Sequence, residues 1–122
     1  MKLLRCISLV TALGMTATPV RAEIVVYEMF QRFDSGTKMI HEFYLALLQG
    51  NYDGLESANS YLASQKAPEI FCPPEGKIFS GEQIMEMLRT EVASDPDLGK
   101  SPLGFAVLRV LQRTYPCLPR SR

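Results

Sequence analysis

Apolar positions recur at helical spacing along most of the chain beyond residue 22. The longest stripe runs through Ile40, Phe43, Tyr44, Leu47 and Leu48, and Leu55, Ala58 and Leu62 continue it. Spacings of three and four put these side chains on one helical face, which predicts a long helix from about Thr37 to Ser64. Gly50 and Gly54 fall inside it, and each costs about 1 kcal/mol relative to alanine. With Ala58 they recur every fourth residue, predicting a ridge without bulky side chains where another backbone comes close. The competing reading breaks the helix at Gly50-Asn51-Tyr52-Asp53-Gly54; the periodicity favours one continuous helix.

The flanking segments read less evenly. Ile24-Val25-Val26-Tyr27 favours strand by residue type, but Val26, Met29, Phe30 and Phe33 fall at helical spacing, so a short helix is preferred for Glu23 to Phe33. Asp34-Ser35-Gly36-Thr37 breaks it. Gln65 to Phe79 reads as a loop, with Pro68, Pro73, Pro74 and Gly76. Ser80 and Gln83 then form a capping box, and Phe79 is placed to staple onto Ile84. Ile84, Leu88 and Val92 share one face of the helix so opened, and Ser94-Asp95-Pro96 stops it. Asp97 to Lys100 reads as plain connection. Ser101-Pro102 reads as a second start, a cap residue followed by proline. In the last helix Leu103, Val107, Val110 and Leu111 form a face, and Phe105, Ala106 and Leu108 widen it, predicting burial nearly all round. No alternating strand pattern competes. The expected fold is all-α, a small bundle of three to four helices with one disulfide.

The first 22 residues have a different character. Lys2 and Arg5 precede an apolar stretch from Ile7 to Met15, and Pro19 stands before Val20-Arg21-Ala22. That order reads as a secretory signal peptide cleaved after Ala22. Its apolar run is too short for a membrane span, which needs roughly 20 residues. The domain expected to remain is 23–122, exported from the cytoplasm. Removing Lys2, Arg5 and Arg21 leaves ten basic against 13 acidic residues. A mildly acidic domain with scattered basic residues argues against nucleic acid or an anionic membrane as partner. Arg120 and Arg122 read as a charged tail.

Cysteine usage follows from export. Cys6 leaves with the signal, and an even pair in an oxidising compartment reads as a disulfide between Cys72 and Cys117. A zinc site lacks ligands, since His41 is the sole histidine. For the same reason His41 is the sole histidine available for acid–base work, and it reads as a surface or boundary residue. No nucleophile elbow, phosphate loop or metalloprotease motif is present. The expectation is a protein that is not an enzyme, with no catalytic residues, no metal and no cofactor. Glu82, Glu86 and Glu91 with Arg89 read as a solvated helix face. Asn59 reads as a half-buried amide bonded to a neighbouring loop. The loops 65–79 and 95–100 are the other candidate surfaces.

The order of these motifs carries a resemblance. Gly50-x-x-x-Gly54 precedes Ala58-Asn59, then Phe71-Cys72-x-Pro74, Ser80-Gly81-Glu82-Gln83, Asp95-Pro96 and Tyr115-Pro116-Cys117. From about Met39 to Cys117 the chain resembles the Rap/Tai family of immunity proteins against type VI secretion amidase effectors. The resemblance implies a small helical periplasmic protein that binds a peptidoglycan amidase and occludes its active-site cleft without catalysis, often as a homodimer. The chain lacks the further N-terminal cysteine pair of several members, and no effector-contacting residue is carried over. The alternatives are a periplasmic stress chaperone comparable to the HdeA type, or a solitary envelope accessory protein.

Overall fold

The structure is a computed structural model in which residues 23–118 are described; the segment 1–22, expected from sequence to be a signal peptide, and the tail arginines Arg120 and Arg122 lie outside the described residues. It is all-α, with four helices and one disulfide among those residues.

Helix α1, Val26–Asp34, settles the ambiguous opening. Val26, Met29 and Phe30 face the core, while Arg32 reaches Glu28 at 2.7 Å on the outside. The strand-like residues ahead of it keep an extended backbone for a reason. Val25 forms an isolated antiparallel bridge with Pro102. Through it the Val26 N–H donates to the Ser101 carbonyl at 3.2 Å, and the Leu103 N–H donates to the Ile24 carbonyl at 2.9 Å. The first N–H groups of a helix have no partner within it. Here two helices that start side by side each supply an acceptor for the other.

This bridge corrects one expectation. Ser101 does not cap the last helix, α4, Leu103–Thr114. Its hydroxyl instead reaches back to the Asp97 carbonyl at 3.4 Å, within a 3₁₀ turn over Pro96–Lys100 where plain connection is expected from sequence. Backbone from another segment does the work expected of the side chain.

Helix α2, Lys38–Ser64, is continuous through both glycines over 27 residues. Its buried line is Tyr44, Leu48, Tyr52 and Asn59, with Ile40, Leu45, Leu47 and Leu55 partly covered. The core face is therefore rotated from the predicted stripe: Phe43 is 55% exposed, and Ala58 also faces outward. Tyr52 and Asn59 belong to the core line, and their polar tips hide them from a count of apolar residues. At the far end Lys66 takes a left-handed φ of 55°. Its N–H bonds the Ala63 carbonyl and the Ala67 N–H bonds the Leu62 carbonyl, both at 3.0 Å. This is a Schellman stop, which closes the helix and turns the chain into the loop.

The glycine ridge is also corrected. A Cβ added at Gly50 or Gly54 would meet nothing within 4 Å. The close approaches lie elsewhere: a Cβ at Gly81 would run into the Leu45 carbonyl, and one at Gly99 into the ring of Tyr27. Gly50→Ala and Gly54→Ala are thus expected to stabilise the protein, by about 1 kcal/mol each through helix propensity alone. Gly81→Ala should act in the opposite direction, by about 1–3 kcal/mol, because rigid backbone blocks the added methyl. Urea midpoints at constant slope measure all three. A fall in stability for Gly50→Ala would contradict the open space seen around it.

Helix α3, Gly81–Ser94, opens as predicted. The Gln83 N–H donates to the Ser80 hydroxyl at 3.3 Å, and the Ser80 N–H to the Gln83 side chain at 2.9 Å. Ile84, Met85, Leu88 and Val92 are buried, as is Phe79 just before the cap. Arg89 is not simply solvated: its guanidinium lies 4.6 Å over the Phe30 ring and pairs with Asp34 at 2.5 Å, fastening α3 to α1. Arg113 similarly joins α4 to the end of α3, through Glu91 at 3.1 Å and Asp95 at 2.8 Å. Its hydrogen bond holds the Asp95 carboxyl below the ordinary range.

Helix α4 buries Leu103, Ala106, Val107, Val110 and Leu111. It is not enclosed on all sides, for Phe105 is 52% exposed and Gly104 beside it also faces solvent. The helix packs against α2 and α3, which leaves an outward face that the breadth of its apolar positions conceals.

Candidate functional site

The segment between α2 and α3 has no regular secondary structure, yet it is anchored at several points. Cys72 is bonded to Cys117, and the Cys72 N–H donates to the Tyr115 carbonyl at 2.8 Å. From the other side Asn59 grips the same stretch. Its amide nitrogen donates to the Phe71 carbonyl at 2.8 Å, and its oxygen accepts from the Ile70 N–H at 2.6 Å and the Phe71 N–H at 3.4 Å. Asn59 is buried rather than half-buried, and it bonds the loop as predicted. The Phe71 ring, fully enclosed, sits between these two anchors in sequence.

Beyond Cys72 the chain turns tightly. The Lys77 N–H donates to the Pro74 carbonyl at 3.0 Å, and Gly76 takes the left-handed φ of 73° that such a turn favours. Phe79 then enters the core, edge-on to Tyr52 at 5.4 Å and tilted against Tyr115 at 5.2 Å. Gln49 on α2 donates to the Phe79 carbonyl at 3.1 Å. Ile78, between the turn and that buried ring, is 77% exposed.

A groove of about 480 Å³ lies between this loop and α2. Its lining includes Glu56 from α2, and Glu69, Glu75 and Lys77 from the loop. Tyr52, also part of the lining, is only 1% exposed, and its hydroxyl forms no hydrogen bond among the described residues. Burial raises its pKa above the ordinary tyrosine value, with the nearby Glu56 and Asp53 carboxylates adding to the effect. The Phe79 backbone acts in the opposite direction.

Glu69 touches both sulfurs' surroundings. Its carboxylate lies 3.3 Å from Cys72 Sγ, and its carbonyl 3.6 Å from Cys117 Sγ. A disulfide sulfur has no proton to donate, so these are packing contacts and leave the carboxylate without a donor there. The same three residues are close enough to suggest metal ligation, but thiolate is the form that binds metal, and here both sulfurs are committed to each other.

His41 is placed elsewhere. It precedes Tyr52 by about three turns of α2, and its ring stacks on Phe33 at 4.4 Å. Its Nε2 is buried and unbonded among the described residues. A proton shuttle has to reach both its donor and its acceptor; this imidazole nitrogen reaches neither the groove nor solvent.

Sequence reasoning singles out the disulfide, Asn59 and the loop, but misses Tyr52 and the three carboxylates. Tyr52 has a usable signal, its place in the line Tyr44, Leu48, Tyr52. The carboxylates have none, being separated by 13 and 6 positions until the loop folds back. No family model, curated protein or solved structure matches the chain.

Proposed function

We propose that this protein is an exported binding module that inhibits a partner by occluding it, without turnover of its own. The observation that carries this reading is the anchored loop. Ordering a flexible loop at the moment of binding costs free energy, and a loop already held in place avoids much of that cost. The Cys72–Cys117 bond and the three hydrogen bonds of Asn59 hold residues 70–72 from two sides. They leave Ile78 and the acidic groove displayed at the surface.

The partner class comes from the resemblance to Rap/Tai immunity proteins: a cell-wall amidase delivered by a type VI secretion system and met in the periplasm. A leading segment with signal-peptide character and a disulfide suited to an oxidising compartment both agree with that location. Mixed with its cognate amidase, the purified oxidised protein is expected to abolish peptidoglycan cleavage at about one equivalent, without being consumed. Titration calorimetry and a turbidity assay on cell-wall sacculi test this together. Failure to bind any amidase of this class would end the effector reading.

A further inference from the structure

The groove beside the disulfide holds more negative charge than its own chain answers. Lys77 is the one cation among its described lining residues, against Glu56, Glu69 and Glu75. None of these three carboxylates forms an ion pair among the described residues. Glu56 accepts the Ser60 hydroxyl at 3.0 Å. Half-buried Glu69 faces a sulfur with no proton. A second observation is independent of charge: the Tyr52 side chain is buried in the same lining, near Glu56, with its hydroxyl unbonded among the described residues. Buried polar groups in folded proteins are almost always paired.

One kind of ligand answers both deficits, a group that is positive and carries several N–H donors. The space, about 480 Å³, suits a long side chain rather than a bare ion. Calcium, which takes six to eight oxygens from carboxylates and water, is the rival occupant that the titration below separates. We propose that the groove receives a single lysine or arginine side chain from a protein partner, its charged head held among Glu56, Glu69 and Glu75 and directed toward the Tyr52 hydroxyl oxygen. Arginine fits better than lysine, because a planar guanidinium bonds two carboxylates at once and sheds water more easily than an ammonium. Pro73 and Pro74 form part of the lining and keep that stretch of loop stiff while the side chain enters. This inference rests on the binding-module reading and names the chemistry that the module recognises.

The test is an amide NMR titration of the oxidised, full mature chain with Nα-acetyl-arginine amide. Nα-acetyl-norleucine amide serves as the neutral control, and calcium chloride is a separate arm. Saturable shifts at Tyr52, Asn59, Glu75 and Ile78 are expected with the arginine probe and absent with norleucine. The isosteric pair Glu56→Gln and Glu69→Gln should weaken binding about tenfold or more, as loss of charge-assisted hydrogen bonds does. Tyr52→Phe, which keeps the packing, should weaken it by a smaller factor. No saturation, an equal response to norleucine, or calcium claiming the same amides at lower concentration would each overturn the proposal. The two readings fail separately. If the arginine probe binds but no amidase does, the groove stands and the effector assignment falls. If an amidase binds the Glu56→Gln, Glu69→Gln protein as tightly as the wild type, the effector assignment stands and the groove falls.

Discussion

Replacing both Cys72 and Cys117 with alanine is expected to lower the stability of the protein by about 4 kcal/mol. The figure comes from the closed loop of 46 residues, Cys72 to Cys117 inclusive, whose entropy in the unfolded chain the bond restricts. Domains of this size are stable by about 5–15 kcal/mol in all, so the variant loses a large share of its stability and should unfold at a lower temperature than the wild type. Urea unfolding of the oxidised protein, the reduced protein and the double alanine variant measures it. Reduced and alanine forms should agree with each other, and both should show a steeper slope than the oxidised protein, whose cross-linked unfolded chain exposes less surface. A loss below about 1 kcal/mol would mean that the bond constrains little that the fold does not already constrain. Function should suffer more than stability predicts. The bond holds one side of the groove, and at a temperature where the double variant is still folded without denaturant, affinity for a partner should already be reduced.

The class of the fold, its helices and its bridge are legible in the sequence because each rests on local chemistry. The capping box at Ser80 and Gln83, the proline-rich loop and the paired cysteines act over a few residues or through a covalent rule. What escapes is set by tertiary partners. Ser101 carries a cap residue's side chain, but its helix start is satisfied by Ile24 from across the bridge. Phe43 and Phe105 are apolar and sit at helical spacing, yet both remain more than half exposed. The glycines illustrate the limit most clearly. Gly50 and Gly54, spaced for close packing, meet open space, while Gly81, unremarkable in sequence, lies against the Leu45 carbonyl. Spacing reports which residues share a face, and only the assembled fold reports what stands opposite. The groove shows the same division. Its Asn59 is legible, because a polar residue on an apolar helix face demands partners. Its carboxylates are not, because their neighbourhood exists only after the loop returns to α2.

Asn59→Ala should cost about 2–4 kcal/mol, a large loss for one surface-sized side chain, because that side chain serves three backbone groups. These are the Ile70 and Phe71 N–H groups and the Phe71 carbonyl. Alanine leaves all three without it, and each unsatisfied buried group costs about 1–3 kcal/mol unless water reaches it. Ile70 is only half-buried, which moderates the sum. Aspartate separates the contributions of donor and acceptor. Its near oxygen can still accept from Ile70 and Phe71, but the other oxygen then faces the Phe71 carbonyl, where the amide nitrogen of asparagine had donated. That repulsion disfavours the ionised form and raises the carboxyl pKa in the folded state. A group whose pKa is raised by folding adds stability that is present at low pH and lost as pH rises through the folded value. The Asn59→Asp protein should therefore be weakest at neutral pH and recover relative to wild type as the solution is acidified, while Asn59→Ala shows no such recovery. Urea midpoints of the three proteins at neutral and mildly acidic pH test the argument. If aspartate and alanine track each other across that range, the donor bond to Phe71 is not what holds the loop.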